Sequence, residues 1–205
     1  EGPNTGGMGA YSPTAIANSE MIQNIMSKII NPTVRGMVAD GVPYQGVLFA
    51  GLMITKNGPK LIEYNCRFGD PECQVLMARL KSDALEMFLG TALGQMEKLK
   101  IKWFKEAVIT VILASKGYPG KYKTGSKIKG CDKVDMISGV NVFHSGTIIK
   151  EADLIANGGR VLGITAMGSD LASARKLAYD AVDLIDWPDG FFRRDIGLSG
   201  LKLVE

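Results

Sequence analysis

Three polar side chains alternate with apolar ones in the first third of the chain, and their chemistry suits a bound metal–phosphate group. Glu63, Asn65 and Arg67 lie in a segment, 60–68, that we predict to be a strand, so they share one face and stand about 6.5–7 Å apart. Carboxylate and amide oxygens are ligands that Mg²⁺ prefers, and an arginine forks onto anionic groups. The alternative is a solvated face of an antiparallel strand, where the same alternation is routine.

The glycine-rich opening, residues 2–13, is the second candidate site. Gly6, Gly7 and Gly9 surround Met8, and glycines spaced so closely expose backbone N–H groups that bind anions. The segment has no Gly-Lys-Ser/Thr, so it is not a Walker loop, and it fits no dinucleotide-binding pattern. Without further context the same residues are equally typical of a mobile loop.

The other residues with reactive side chains are predicted to be structural. His144, the single histidine, lies in a strand-like segment, where we expect a structural hydrogen bond. Cys66, Cys73 and Cys131 have no metal-ligand spacing, so we expect buried or partly buried thiols, with Cys66 on the apolar face of its strand. The lysine-rich segment 98–105 is predicted to be a solvated linker.

Apolar periodicity and turn signals predict the elements that position the first candidate site. A helix begins near Ser19, and Pro32 is expected to kink or end it, with Gly41 as a suitable terminus for any continuation. Strands over 46–55 and 60–68 flank an Asn-Gly turn, which is a hairpin signal.

The rest of the chain is predicted to continue with a capped helix and a second domain. Asp70 is expected to cap this helix, with Pro71 at its first position. A domain boundary is predicted near residue 103. The remaining predicted elements are a helix over 82–93, strands over 107–114, 140–149 and 160–167, and a helix over 171–185.

Length and composition indicate a soluble globular protein of one or two small domains. The chain has 205 residues, of which 46% are apolar and 22% charged. The formal net charge of +3 argues against a nucleic-acid partner, and the sequence has neither a membrane-spanning apolar run nor a signal peptide. Because three cysteines is an odd number, we expect reduced thiols and a cytoplasmic location.

Two longer motifs are specific enough to point to a family. The opening contains Asn-Thr-Gly-Gly-Met-Gly-Ala-Tyr-Ser-Pro, and residues 67–74 read Arg-Phe-Gly-Asp-Pro-Glu-Cys-Gln. With shorter matches at 118–120, 142–147, 157–161 and 194–197, they resemble the phosphoribosylamine–glycine ligases, also called glycinamide ribonucleotide synthetases, which are ATP-grasp enzymes. The resemblance covers nearly all of the chain.

The resemblance implies an α+β architecture and an activity. Residues 1–103 would be the metal-binding half of an ATP-grasp fold, an antiparallel sheet with helices, and 104–205 a small C-terminal α+β domain. In this family ATP phosphorylates the carboxylate of glycine, and the amine of 5-phosphoribosylamine then displaces phosphate, giving glycinamide ribonucleotide and ADP in purine biosynthesis. Positioning and charge neutralisation, rather than a nucleophilic side chain, are what such phosphoryl transfer needs.

The family's motifs also imply which residues form the site. Glu63 and Asn65 would hold Mg²⁺ or Mn²⁺, while Arg67 and Asp70 would face the substrates as catalytic residues. The residues implied to line the ATP site are Gly6, Gly7, Met8 and Gly9. Related enzymes often carry another carboxylate on the preceding strand, where this sequence has none and Gln45 is the nearest polar oxygen.

Two alternatives stay open: another ATP-grasp carboxylate–amine ligase of purine synthesis, and a non-catalytic fragment that binds partners. The chain begins at Glu1 without a methionine, and the resemblance is to the C-terminal part of the family. We therefore expect a piece of a longer enzyme, whose N-terminal remainder is a partner, and we expect the isolated 205-residue chain to be inactive.

Overall fold

The computed structural model describes residue 3 and residues 5–202, so Glu1, Gly2 and Asn4 of the glycine-rich opening lie outside the described residues. The helices are α1 (Ser19–Ile25), α2 (Asn31–Ala39), α3 (Glu72–Arg79), α4 (Ala84–Ala92), α5 (Cys131–Asp135), α6 (Leu171–Val182) and α7 (Leu198–Leu201). The strands are β1 (Gly9–Ser12), β2 (Phe49–Thr55), β3 (Gly58–Asn65), β4 (Ala107–Ser115), β5 (Val140–His144), β6 (Thr147–Lys150), β7 (Asp153–Ala156), β8 (Arg160–Gly168) and β9 (Gly190–Phe191). The predicted α+β class is confirmed.

The chain divides into two compact units. The first comprises the described parts of Glu1–Pro13, Asp70–Arg79 and Phe104–Glu205, and the second comprises Thr14–Gly69 and Leu80–Trp103. This division shares one boundary with the predicted one, between residues 103 and 104. It differs over the opening segment and α3, which belong with the C-terminal residues. β1 of the opening segment pairs with β4, and Arg79 of α3 donates both to Ser12 Oγ and to the Glu106 carbonyl oxygen.

An antiparallel sheet in the order β1-β4-β8-β5 forms the centre of the first unit, with β9 also paired to β4. Every residue of β4 is buried, and the apolar face of α6 packs against β4 and β8. Two of the buried hydroxyls in this unit bond to each other, since Thr165 Oγ1 donates to Thr110 Oγ1 at 2.7 Å across the β4–β8 pair.

The predicted strand over 140–149 is two strands in the structure. β5 ends at His144, and β6 leaves the main sheet to form a separate hairpin with β7. The break lies at Gly146, where a β-carbon would stand 2.7 Å from the Cα of Gly158. Such a close approach of two backbones accepts only glycine, and it redirects the chain at this point.

The second unit contains α1, α2, the β2–β3 hairpin and α4. Asn18 caps α1 as predicted, accepting a hydrogen bond from the Met21 N–H at 2.9 Å. Of the two outcomes predicted at Pro32, the helix does not end there: a π-helical turn over Met26–Ile30 comes first, and Pro32 then falls in the first turn of α2, where its missing N–H is tolerated. Gly41, with φ +75°, follows the end of α2 as expected.

Asp70 does not have the predicted capping geometry. α3 begins at Glu72, so Pro71 stands directly before the helix rather than at its first position. The carboxylate of Asp70 instead bonds to the side chains of Arg160 and Gln74. Among the described residues, no helix has the length and apolar character needed to cross a membrane.

Candidate active site

Glu63 and Asn65 lie side by side at the end of β3. The Asn65 Nδ2 donates to Glu63 Oε1 at 3.1 Å, which confirms that the two side chains share a strand face. Glu63 is exposed and Asn65 is half-buried. The strand alternation therefore predicted this pair correctly.

A glycine on the neighbouring strand makes room beside Glu63. Gly51 of β2 pairs with Glu63, and a β-carbon on Gly51 would stand 3.2 Å from Glu63 Cγ. The pairing then shifts, since Leu52 faces Leu61, and Ile62 is the extra residue of a β-bulge. Bulges of this kind re-aim the side chains beside them, and here the bulge comes directly before Glu63.

The prediction that Arg67 shares the face of Glu63 and Asn65 is wrong. The β2–β3 pairing ends where Phe49 faces Asn65, so Arg67 lies beyond the strand in a bend. Its Nη1 donates to the carbonyl oxygen of the next residue, Phe68, at 2.7 Å. The side chain is exposed, and this contact engages one of its five donors.

The chemistry of Glu63 and Asn65 fits a hard divalent cation. Because Asn65 turns its Nδ2 toward Glu63, its Oδ1 and the second carboxylate oxygen of Glu63 remain acceptors of the type that Mg²⁺ and Mn²⁺ take. The described part of the chain holds no group of three or more His, Cys, Asp and Glu side chains that could bind a metal ion. A cation at this pair would complete its shell with water and phosphate oxygens, as Mg²⁺ ordinarily does.

Gln45, the polar residue nearest to the strand before β3, has a structural contact instead. Its Nε2 donates to the carbonyl oxygens of Thr91 at 2.6 Å and Ala92 at 2.8 Å. These carbonyls belong to the last turn of α4, where backbone acceptors lack partners within the helix. Gln45 therefore closes a helix end.

Asp70 belongs to the first unit and is held there by Arg160. The Nη2 of Arg160 lies 2.7 Å from Asp70 Oδ2, and its Nη1 donates to the Asp70 carbonyl oxygen at 2.7 Å. The other carboxylate oxygen accepts from Gln74 Nε2 at 3.3 Å. Both oxygens of the carboxylate thus have protein partners. The Gln74 Oε1 beside them is buried, with no hydrogen-bond partner in the described part of the chain.

The glycine-rich segment packs closely against residues that are distant along the chain. The Gly6 N–H donates to Tyr118 Oη at 3.3 Å, and the Gly7 carbonyl accepts from Arg160 Nη1 at 3.0 Å. Met8 is 7% exposed and belongs to a small apolar cluster with Ile112 and Ala114. The Met8 carbonyl oxygen accepts from the Ile112 N–H at 3.1 Å.

Gly9 is explained by packing as well. It begins β1, and a β-carbon there would stand 2.6 Å from Ile196 Cγ2 and 2.7 Å from the Thr110 carbonyl oxygen. Glycine is thus required by a neighbouring strand and side chain, whatever binds nearby.

Arg160 and Tyr118 are two residues of this region whose contacts no sequence pattern predicted. Both lie inside motifs that carried the family resemblance, at 157–161 and 118–120, so the sequence marked them without indicating a role. Their partners lie 90 and 112 residues away along the chain. No local pattern reports contacts at such separations.

The remaining predictions about reactive side chains have mixed outcomes. His144 Nδ1 lies 3.2 Å from Thr147 Oγ1, which confirms the structural hydrogen bond.

Cys73 and Cys131 are half-buried as expected, and burial raises the pKa of both thiols. Cys66 is exposed, contrary to the prediction, because it lies just past the end of β3. Most of the lysine-rich segment 98–105 is exposed, as expected for a solvated linker.

Comparisons with known proteins identify relatives of both halves of the chain. Residues 1–73 match the family described as phosphoribosylglycinamide synthetase, ATP-grasp (A) domain, and residues 108–199 match the C domain of the same synthetase. A phosphoribosylamine–glycine ligase of Mesorhizobium japonicum is 57% identical over 196 residues, covering 96% of this chain and 46% of that protein. The Brucella melitensis ligase is 52% identical, covering 98% and 47%. The chain thus spans about half the length of these curated relatives.

Two solved structures have a fold similar to that of this chain. A phosphoribosylamine–glycine ligase from Thermotoga maritima superposes with a TM-score of 0.79 at 31% identity, covering 95% of this chain and 47% of that one. A biotin carboxylase from Campylobacter jejuni gives a TM-score of 0.61 at 16% identity, covering 94% and 42%. At that identity the second likeness shows the fold alone.

Proposed function

Because the chain belongs to the phosphoribosylamine–glycine ligase family, we propose that it forms part of an ATP-dependent, ADP-forming ligase that joins glycine to 5-phosphoribosylamine. The observation that carries the proposal is 57% identity to such a ligase across 96% of the chain. The partner in this activity is the part of the enzyme that this chain does not span. The three free thiols support a reducing compartment such as the cytoplasm.

The proposed reaction has two steps. A carboxylate oxygen of glycine attacks the γ-phosphorus of ATP, and ADP leaves with the electron pair of the broken bond, forming glycyl phosphate. The amine nitrogen of 5-phosphoribosylamine then attacks the acyl carbon, phosphate leaves, and the nitrogen loses a proton. The product is glycinamide ribonucleotide, an intermediate of purine biosynthesis. The amine is itself the nucleophile, so the protein's task is positioning and charge neutralisation.

Glu63 and Asn65 are the proposed ligands of Mg²⁺ or Mn²⁺. The cation, when bound, neutralises charge on the ATP phosphates. The choice of these two residues is supported by their shared strand face, by their hard oxygen donors and by the space that Gly51 leaves beside Glu63.

Arg67 and Asp70 are the proposed substrate-facing residues. The exposed guanidinium of Arg67 is free to fork onto an anionic acyl phosphate through the donors that Phe68 does not engage. Asp70 presents a carboxylate whose direction is set by Arg160 and Gln74.

The proposed contacts to ATP come from the segment Gly6, Gly7, Met8 and Gly9. The close packing of this segment fixes its backbone.

The test is an assay of ADP release by a completed enzyme, in which this chain is joined to the part of the Mesorhizobium japonicum ligase that it does not span. We expect ADP release that requires both glycine and 5-phosphoribosylamine, together with formation of an amide product detectable by mass spectrometry. Alanine, aspartate and bicarbonate serve as alternative carboxylates. Faster turnover with any of these than with glycine would overturn the proposed substrate.

A further inference from the structure

The Arg160 guanidinium joins two distant parts of the sequence. Its Nη1 donates to the carbonyl oxygens of Gly7 at 3.0 Å and Asp70 at 2.7 Å, and its Nη2 lies 2.7 Å from Asp70 Oδ2. The Arg160 side chain is 21% exposed, whereas that of Asp70 is 53% exposed. One guanidinium thus contacts both segments of the first unit that carry proposed site residues.

Small residues allow this contact on both sides. A β-carbon on Gly6 would stand 3.1 Å from Arg160 Cζ and 3.0 Å from Tyr118 Oη. A β-carbon on Gly159 would stand 2.4 Å from the Tyr118 ring, so the ring lies directly on the backbone next to Arg160. Tyr118 Oη in turn accepts the Gly6 N–H at 3.3 Å. The surroundings of Arg160 are built to hold the glycine-rich segment.

We propose that Arg160 is a positioning residue of the ligase: it fixes the Gly6–Gly7 backbone and the Asp70 carboxylate in one arrangement, and it acts on the reaction through them. This inference rests on the proposed function. Only a planar, multi-pronged donor reaches two carbonyls and a carboxylate together, so lysine cannot replace it. Displacing site residues by about 1 Å costs on the order of 100-fold in rate.

The decisive experiment compares Arg160→Lys with a matched arginine in the completed enzyme. Arg175 also donates to backbone carbonyls of its own unit, those of Ile196 at 2.9 Å and Arg194, but its bonds go to neither Gly7 nor Asp70. We expect Arg160→Lys to lower kcat at least about tenfold, with KM for glycine changed less than about threefold. We expect Arg175→Lys to stay within about twofold of wild type. Equal losses in both variants would indicate general destabilisation and overturn the inference.

A double variant tests whether Arg160 acts through Asp70. If it does, Arg160→Lys lowers kcat by a smaller factor in the Asp70→Asn background than in wild type, since coupled residues are non-additive, and the loss that remains reports the contact to the Gly7 carbonyl. Losses that multiply would show that Arg160 acts independently of Asp70 and would overturn this part of the inference.

Tyr118→Phe provides a milder variant should Arg160→Lys fail to fold. It keeps the ring over Gly159 and removes only the hydroxyl that accepts the Gly6 N–H. We expect a smaller kcat loss, about threefold, from this substitution. A wild-type kcat in Tyr118→Phe would count against the fixed arrangement of the glycine-rich segment.

Amide hydrogen exchange on the 205-residue chain provides a readout that is independent of activity. In Arg160→Lys we expect faster exchange in peptides covering 5–9 and 70–75, and no change there in Arg175→Lys. If wild-type completed enzyme releases no glycine-dependent ADP, the proposed function fails, and the exchange result still decides whether Arg160 fixes the two segments. If wild type is active and Arg160→Lys retains wild-type kcat, the positioning role alone fails.

Discussion

Gly7 and Pro71 are in such close contact that a β-carbon on Gly7 would stand 2.3 Å from Pro71 Cδ. The two residues belong to the glycine-rich opening and to the 67–74 motif, which are the most specific parts of the family resemblance. Their contact gives a packing reason for a glycine at position 7. It also means that Gly7 and Pro71 are parts of one packed structure in the first unit.

Gly7→Ala should therefore destabilise the chain. The added methyl group overlaps the Pro71 ring, which cannot rotate away because it is closed onto the backbone nitrogen. Overpacking of this kind lowers the free energy of unfolding by about 1–3 kcal/mol. Urea unfolding of the 205-residue chain measures the change.

Gly36→Ala is the matched control for this measurement. Gly36 lies inside α2, and a β-carbon added there would have no heavy atom within 4 Å, so alanine should stabilise the chain by up to about 1 kcal/mol. An unfolding midpoint for Gly7→Ala that equals or exceeds that of wild type would contradict the packing argument.

Glu63→Ala tests the proposed metal ligand. The side chain is exposed on β3, so we expect the fold to be unchanged while glycine-dependent ADP release falls by at least about 100-fold in the completed enzyme. Circular dichroism and urea unfolding check the fold. Glu97→Ala removes another exposed carboxylate of the same unit and should leave turnover unaffected. Wild-type turnover of Glu63→Ala at ordinary Mg²⁺ would rule out this ligand assignment.

Arg67→Lys tests whether Arg67 acts through a two-pronged hydrogen bond or through its positive charge alone. Lysine keeps the positive charge but has no planar pair of donors for an acyl phosphate. We expect at least about a tenfold loss of kcat/KM for glycine in the completed enzyme. A lysine variant within about threefold of wild type, which is well under 1 kcal/mol of barrier, would show that charge alone suffices.

Elements with a strong local pattern were predictable from the sequence. The helix predicted over 171–185 is α6, Leu171–Val182, and the apolar run at 107–114 is the buried strand β4. The Glu63–Asn65 pair was predictable for the same reason, because strand alternation places residues two apart on one face. Local periodicity suffices when the partners are neighbours in sequence.

The features that were not predicted depend on distant partners or on where pairing stops. β1 forms only by pairing with β4, about a hundred residues later, and its sequence carries no strand pattern of its own. Arg67 is off the strand because β2 provides no partner beyond Phe49. Arg160 and Asp70 are 90 residues apart in the sequence, so no local pattern predicts that they are in contact.

The thiols of Cys66 and Cys131 should react at very different rates. Cys66 is exposed, whereas the pKa of the half-buried Cys131 is raised by burial and then by the neighbouring Asp135 and Asp132. Because the thiolate is the nucleophile, we expect iodoacetamide at about pH 7.5 to alkylate Cys66 at least about tenfold faster than Cys131. Peptide mapping by mass spectrometry follows the rates, and unfolding in urea should equalise them. Faster labelling of Cys131 than of Cys66 in the folded chain would contradict the structure.

Asp195 should remain ionised at unusually low pH. Arg193 donates two hydrogen bonds to the Asp195 carboxylate, from Nε to Oδ1 at 2.8 Å and from Nη2 to Oδ2 at 2.5 Å. These bonds lower the pKa of Asp195 from 3.8 to about 2. Because the folded-state pKa is the lower one, the stabilisation is present above about pH 4 and is lost as the pH falls through about 2. Carboxyl-carbon NMR should find Asp195 about nine-tenths ionised at about pH 3. Arg193→Gln should return its pKa toward 3.8, whereas Arg194→Gln, which removes the partner of Asp183, should leave it low. A wild-type midpoint near 3.8 would show that the two hydrogen bonds do not persist in solution.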